Sequence, residues 1–300
     1  MPLLRVVPLL KRSMPEPALT IASLIRDTDL QDACVRWLAG GRWRMVWLDP
    51  DTNPVAQLER DREEFDALVL QEGVLEPRSY QALSDLGLQL PAVVIGAVSG
   101  QIEFHQSEVH LPPDQLEQLS YSLDAAISRF LQRGLGAGTG LPVGQASPEM
   151  SEGWKLANRL KGRLGFVGVF YKRDPSRFLR NLPELERDEL FHSLERTYRD
   201  LLLSYFRDPA AANQALESFV NTAFFSDLPI TKTVEIHVNL IDAFSKRLRL
   251  EGHKNDFLQD YRIALLDVMA HLCEMYRRSI PPDAPLAAIP LPAKGQPSMV

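Results

Sequence analysis

The sequence predicts a parallel α/β unit in the first half of the chain and an all-α four-helix bundle in the second. Three observations carry this. Between residues 18 and 134, apolar β-branched runs alternate with helical patterns; from Asp174 onward no strand pattern occurs; and a glycine-rich stretch, GLGAGTGLPVGQAS (134–147), lies between the two. Strands alternating with helices build a parallel sheet covered on both faces. The expected division is a tail over 1–17, the sheet unit over 18–134, a linker over 135–173, the helical unit over 174–281 and a proline-rich tail over 282–300.

In the first unit, ALTIASLI (18–25) is the first strand, and Asp27-Thr28-Asp29 offers helix-capping oxygens before LQDACVRWLAGG. RWRMVWLD (42–49) is the second strand and NPVAQLERDREE (53–64) a short charged helix. FDALVLQEG (65–73) is the third strand, PRSYQALSDLG (77–87) the third helix, and PAVVIGAVSG (91–100) an apolar run buried on both faces. A short fifth strand around Glu108–Leu111 precedes a helix over 114–134, in which Leu116, Leu119, Leu123, Ala126 and Phe130 keep helical spacing. Five such units in this length predict a five-stranded, flavodoxin-like sheet of the response-receiver kind. A phosphate-accepting receiver needs an acidic pair after strand one, an aspartate after strand three, Ser or Thr after strand four and Lys after strand five. Here Arg26-Asp27 offers one carboxylate and Ser99 stands at the fourth position, but strand three ends on Gln71-Glu72 and the fifth region has no lysine. The unit therefore reads as a pseudo-receiver, a scaffold or docking domain.

The glycine run follows a helix and has the spacing G-x-G-x-G-x-G, so it is a linker rather than a dinucleotide loop. Ser147-Pro148-Glu149 then starts an amphipathic helix with Trp154, Ala157, Leu160 and Leu164 along one side, followed by a short strand in GFVGVFYKR (165–173). A short helix, DPSRFLRNL, opens the second unit. Long helices are expected over 182–206, 208–227, 229–252 and 255–279, broken at Asp208-Pro209, Leu228-Pro229 and Gly252. Such short connections make consecutive helices antiparallel. The last helix has two apolar stripes, Phe257, Tyr261, Ala264, Val268, Met275 and Leu258, Leu265, Met269, Leu272. That is more apolar surface than one bundle core needs, so a homodimer or a partner groove is expected.

A net charge of −6 without a Lys/Arg run excludes nucleic acid as the main partner. The two cysteines, Cys34 and Cys273, sit in predicted helices and read as reduced, buried thiols of a cytoplasmic protein. No run approaches the ~18 apolar residues of a membrane span. The chain has no G-x-S-x-G elbow, P-loop or Cys–His nucleophile arrangement, which points away from an enzyme and from a bound cofactor. Asp267, His271 and Glu274 share one helix face. With His237 on the preceding helix they could ligate a metal and support an enzyme; otherwise they form a hydrogen-bonded cluster at an interface, or a solvated face.

GFVGVFYKRDPSRFLRNLP (165–183), SFVNTAFFSDLPITKTVEIHVNLIDAF (218–244), DYRIALLDVMAHLCEMYRRSIP (260–281) and, in the first unit, HLPPDQLEQLSYSLDAA (110–126) resemble the KaiA family of cyanobacterial circadian clock proteins. The resemblance implies a homodimer, often with exchanged domains, that binds the C-terminal segment of the ATPase KaiC, stimulates KaiC autophosphorylation and is captured by a KaiB–KaiC complex. It implies roles in the dimer and its groove for Phe224 and His271, with Asp242, Arg249 and Glu274 beside them, and a pseudo-receiver surface role for Glu103. It also implies that the linker around Trp154 and Leu160, with the strand 166–171, docks in the inhibited state. A response-regulator-like adaptor with a different partner is the alternative.

Overall fold

The computed structural model describes residues 19–40, 42–97, 101–105, 107–136, 155–162, 173–251 and 256–280. Five parallel strands, β1 (Leu19–Leu24), β2 (Trp43–Trp47), β3 (Ala67–Gln71), β4 (Ala92–Ile95) and β5 (Val109–Leu111), form one sheet in the order β2-β1-β3-β4-β5. β1 and β4 are buried along their whole length and β3 everywhere but at Gln71, as their unbroken apolar runs require of strands covered on both faces. Ile21, Val69, Val93 and Ile95 face one core. Ala22, Leu68, Leu70 and Val94 face the other, so the period of two assigns alternate residues to opposite layers.

The helices α1 (Thr28–Trp37), α2 (Pro54–Arg60) and α3 (Pro77–Asp85) follow β1, β2 and β3. Asp27 caps α1 through Asp29 N and Leu30 N, and Asn53 caps α2 through Ala56 N. The helix expected over 114–134 begins instead as a 3₁₀ turn, Pro113–Gln118, and becomes α4 (Leu119–Gly136) only afterwards. Gln115 breaks the α pattern at φ −127°, and its side chain turns to Asp200 and Thr197 of the second unit. The five apolar residues predicted to share a face in this stretch are all buried.

A short helix over residues 155–162, α5, lies against the sheet unit. The strand expected at 166–171 falls outside the described residues. The helix expected over 174–182 is two 3₁₀ turns, Pro175–Arg177 and Leu179–Asn181, parted at Phe178, whose backbone is extended. Next come α6 (Glu184–Ser204), α7 (Pro209–Phe225), α8 (Ile230–Leu250) and α9 (Arg262–Ser279). The last also starts as a 3₁₀ turn, Asp256–Tyr261, rather than as helix. α6 and α7 pack along their length as the central pair, α8 leans on α6 and α9 on α7. Cys34 is buried as expected, and burial pushes its thiol up to about 12; Cys273 is exposed, against expectation, because it faces away from α7.

The helical unit is fixed to the sheet unit. α7 covers the β5 edge and packs on α4, while α6 packs on the 3₁₀ turn before α4. This protects an edge strand that would otherwise expose unpaired backbone. Arg129 of α4 bridges Glu217 of α7 (2.7 Å), and Tyr121 donates to the Arg177 carbonyl (2.8 Å). Arg42 forks onto Asp124 of α4 (2.6 and 3.1 Å) and reaches Asp174 at 3.5 Å.

Burial pushes the Asp124 carboxyl up to about 6, against the opposing pull of Arg42. The folded state thus holds this proton more tightly than the unfolded chain, whose aspartate titrates near ~4. This contribution to stability is full below that value and is lost as pH rises through about 6, a loss of ~3 kcal/mol. Urea unfolding followed by circular dichroism should therefore show that Asp124→Asn flattens the fall in stability between about pH 4 and 7. Parallel pH profiles for the variant and the parent would refute it.

Candidate functional site

At the carboxyl end of the sheet, where open α/β folds place functional side chains, hydrogen bonds to backbone fill the site. Gln71, the last residue of β3, accepts the N–H groups of Arg26 (2.8 Å) and Asp27 (3.2 Å) through its amide oxygen. Glu72 accepts from Ala97 N at 2.6 Å. Asp27 spends its carboxylate on the first turn of α1, and Arg26 points outward to Asp51 (2.8 Å). The two side chains after β3 thus staple the loops after β1 and β4. Ser99 lies outside the described residues.

Glu103 lies at the rim of the same end, accepting from Tyr80 OH (2.9 Å) and from the N–H of Gly73 (3.4 Å), a residue that turns at φ 67°. Burial, helped by the Glu103 charge, pushes the Tyr80 hydroxyl upward. The loop that carries Glu103 is organised by Glu108, which in the sequence marks no more than a strand entry. The buried Glu108 carboxylate accepts the N–H groups of Glu103 (2.7 Å), Phe104 (2.7 Å) and His105 (3.0 Å), and His110 Nε2 sits 2.7 Å away. Burial works to raise its pKa, but His110 and the three amides outweigh it and the net direction is down. The available signal was Glu-x-His at i, i+2, two side chains on one face of a strand.

In the helical unit, Phe224 is fully buried and meets Phe225 and Tyr276 edge-on, each at 5.1 Å. The Arg173 guanidinium stands over Phe178 (4.8 Å), Phe224 (4.9 Å) and Tyr276 (5.3 Å) and pairs with Asp227. Asp227, at φ 57° just past α7, also takes Arg180 at 2.7 Å. Phe224 is therefore a core residue packed against Tyr276 and Arg173. Beside Tyr276, a cavity of about 310 Å³ opens where α7 turns into α8, lined by Leu179, Arg187, Leu228, Pro229 and Ile230.

His271 lies on the exposed side of α9, its Nδ1 2.9 Å from the Asp267 carbonyl and 3.2 Å from the Asp267 carboxylate, which also accepts from Tyr205 OH (3.2 Å). Hydrogen bonds from Arg277 and Arg278 hold the Glu274 carboxyl down at about 2. Asp242 pairs with Lys246 on α8 (2.6 Å), and Arg249 is exposed near the end of that helix. His237 is buried and bonded to Tyr198 OH (3.1 Å), with burial lowering its pKa. Among the described residues no group of three His, Cys, Asp or Glu is placed to hold a metal ion. The structure thus gathers Asp267, His271 and Glu274 on one face of α9, while Asp242 and Arg249 are on α8. Glu103 stands apart on the sheet unit, and Trp154 is outside the described residues. Leu160 is buried against the sheet unit. Val234 and Val238 of α8 and Ile263 and Leu266 of α9 are exposed as well.

Residues 19–134 match the family described as "Circadian clock protein KaiA, N-terminal domain" and residues 162–283 match the "KaiA C-terminal domain". A protein of Parasynechococcus marenigrum named circadian clock oscillator protein KaiA is 57% identical over 282 residues, covering 92% of this chain and 94% of that one. The protein of the same name from Synechococcus elongatus is 40% identical over 277 residues, covering 88% and 98%. A crystal structure of the C-terminal domain of Thermosynechococcus elongatus BP-1 KaiA aligns with 35% of this chain and 100% of that one, at 45% identity and a TM-score of 0.31. Among the described residues no helix is long and apolar enough to cross a membrane.

The staple at the sheet's carboxyl end has a sharp steric requirement. A Cβ at Gly96 would lie 2.3 Å from a Glu72 carboxylate oxygen and 2.4 Å from its Cβ. Gly96→Ala should cost roughly 1–3 kcal/mol, the usual range for overpacking. Glu72→Ala should not rescue it, since the Cβ clash remains, whereas Glu72→Gly should recover most of the loss. Urea denaturation of the three variants checks this, and equal rescue by both second-site changes would contradict it.

Proposed function

The chain belongs to the KaiA family of circadian clock regulators, and from that premise we propose that it works as a homodimer that binds the C-terminal segment of KaiC and stimulates KaiC autophosphorylation. One observation carries the reading. The helices α8 and α9 keep Val234, Val238, Ile263 and Leu266 exposed, apolar side chains that a single chain leaves uncovered. A second copy covers some of them. The groove left beside Tyr276 and Ile230, with Arg180 and Arg187 at its rim, takes an extended segment with apolar anchors and acidic residues.

In this reading the two matched regions divide the work. The pseudo-receiver over 18–134 supplies a docking scaffold, because Gln71 and Glu72 have taken the phosphate-accepting position into structural bonds. The helical unit over 174–281 supplies dimerisation and KaiC binding. Phe224 supports the groove from below, and His271 and Glu274 on α9, with Asp242 and Arg249 on α8, serve the dimer. The pseudo-receiver rim at Glu103 is a second contact surface, and the linker bearing Trp154 and Leu160 docks when a KaiB–KaiC complex captures the protein. No catalytic role is assigned to any residue, and the protein works in the cytoplasm. The adaptor alternative keeps the same scaffold and replaces KaiC by another partner.

Adding the protein to KaiC with ATP should raise the phosphorylated KaiC fraction above that of KaiC alone on gels; no rise would favour the adaptor. His271 and Val238 are exposed, so their replacement spares the core. His271→Ala should reduce stimulation or dimer affinity at unchanged stability. Val238→Asp should weaken the dimer in sedimentation at least ~10-fold, the equivalent of ~1.4 kcal/mol. Phe224→Ala should also lose ~3–5 kcal/mol of fold stability as a core truncation. Unchanged sedimentation and stimulation for both surface variants would refute the assignment.

A further inference from the structure

The described part of α5, residues 155–162, is held by what it touches. Leu156, Ala157 and Leu160 are buried, Leu160 completely. They join the cluster that contains Phe65, Leu88, Leu90 and Leu131 on one face of the sheet, a cluster to which no residue of α6–α9 belongs. Beside this contact, Lys155, Leu156 and Arg159 close a cavity of about 50 Å³ against Arg62, Glu63 and the turn at 87–90.

The contact has a charged key. Arg159 Nε lies 3.5 Å from a carboxylate oxygen of Asp66, and its Nη2 donates to the Phe65 carbonyl and to that of Arg62 (3.5 Å). Asp66 is wholly buried at the entry to β3, and its other oxygen accepts the N–H of Thr20 at 2.9 Å. The sheet fixes this carboxylate whether or not α5 is present. A bare apolar helix would leave it facing a low-dielectric contact without this cation, which is strongly unfavourable. The seat therefore selects a helix carrying an arginine next to a leucine, with a second leucine one turn earlier. Leu156, Arg159 and Leu160 meet that pattern.

We propose that this amino-terminal edge of the sheet is a dedicated seat for the chain's own linker helix, keyed by Arg159 on Asp66, and that α5 is a strap closed in this state. The same Leu160 cannot be buried here and in a groove of the helical unit, so seating on the sheet and docking on α6–α9 exclude each other. This second half rests on the linker role proposed above; the seat itself does not. Connecting lengths allow the exchange. Residues 137–154 and 163–172 flank α5, and at ~3.3–3.6 Å per extended residue the shorter of these can span more than ~30 Å.

Hydrogen–deuterium exchange on the full chain without any partner tests the seat. Amides of 155–162 should be protected, and Arg159→Gln should speed their exchange at least tenfold while the strands keep their protection. Asp66→Asn should act alike, and the double variant should add little. Asp66 also holds Thr20, so Arg159→Gln, which touches nothing in β1, is the decisive arm. Unprotected 155–162 in the parent, or exchange unchanged in Arg159→Gln, overturns the strap. Mixing chains of normal and 15N mass, each carrying Ala157→Cys and Leu88→Cys on a Cys273→Ser background, and cross-linking them should give only same-mass products; mixed products would overturn the same-chain assignment. A parent that fails to stimulate KaiC removes the proposed function and leaves the exchange result to decide the seat.

Discussion

The amide of Gln118, buried completely between the two units, is the interaction on which the arrangement of the molecule depends. Its nitrogen donates to Thr197 Oγ1 (2.7 Å) and Ser193 Oγ (2.9 Å) of α6, and its oxygen accepts from Thr222 Oγ1 of α7 (2.7 Å). A buried amide left unpaired costs ~1–3 kcal/mol, so α6 and α7 must both meet it at hydrogen-bond distance. Around it, Leu116, Leu119 and Leu123 of the sheet unit share one continuous core with Leu194, Leu201, Phe219 and Val220 of the helical unit. The apolar layer supplies area without direction; the amide supplies register. Together they fix the face of α7 that covers β5, and so the faces of α8 and α9 that remain outside.

At the carboxyl end of the sheet, described side chains are committed to backbone bonds. A working receiver keeps its acceptor and metal-binding carboxylates accessible, and their mutual repulsion is relieved by a cation. Here Gln71, Glu72 and Asp27 are each bonded to backbone N–H groups of loops that the acceptor would have to leave free. The loops gain fixed positions. Glu108 repeats the device one strand further on, where a single carboxylate orders three consecutive amides.

Most of the fold was legible because it rests on local patterns. The unbroken apolar runs of β1, β3 and β4, and the Asp-Pro start of α7, name their elements directly. The missing phosphoacceptor was legible for the same reason, since Gln71-Glu72 stands at a defined strand end. What escaped depends on partners distant in sequence. Gln115 leaves the helical pattern because it bonds α6, some eighty residues on, and no local propensity records that. Glu108 looks like an ordinary strand entry until its loop closes on it. Phe224 looks like a groove residue and is a core residue, because Arg173 and Tyr276 stand between it and solvent. Cys273 escaped because α9 buries Ala264, Val268 and Leu272, leaving the face that carries Cys273 open.

The same open faces pose a competition that the charge pattern helps decide. A surface such as Val234–Val238 and Ile263–Leu266 gains by burial at ~25 cal/mol per Å², whoever covers it; apolar area alone therefore does not choose an occupant. Direction comes from the polar groups at the margins. Asp267 holds His271 on one side, Arg277 and Arg278 hold Glu274 on the other, and Arg180 and Arg187 stand at the mouth of the cavity beside Tyr276. α5 brings Lys155, Arg159 and Lys161, so within its own chain it is matched better by the acidic seat at Asp66 than by an arginine-rimmed groove. An occupant of the groove that carries acidic residues has no such rival seat. Two conformations a few kcal/mol apart leave the minor one populated at roughly 0.1–10%, and the proposed strap of three apolar residues and one ion pair is of that order.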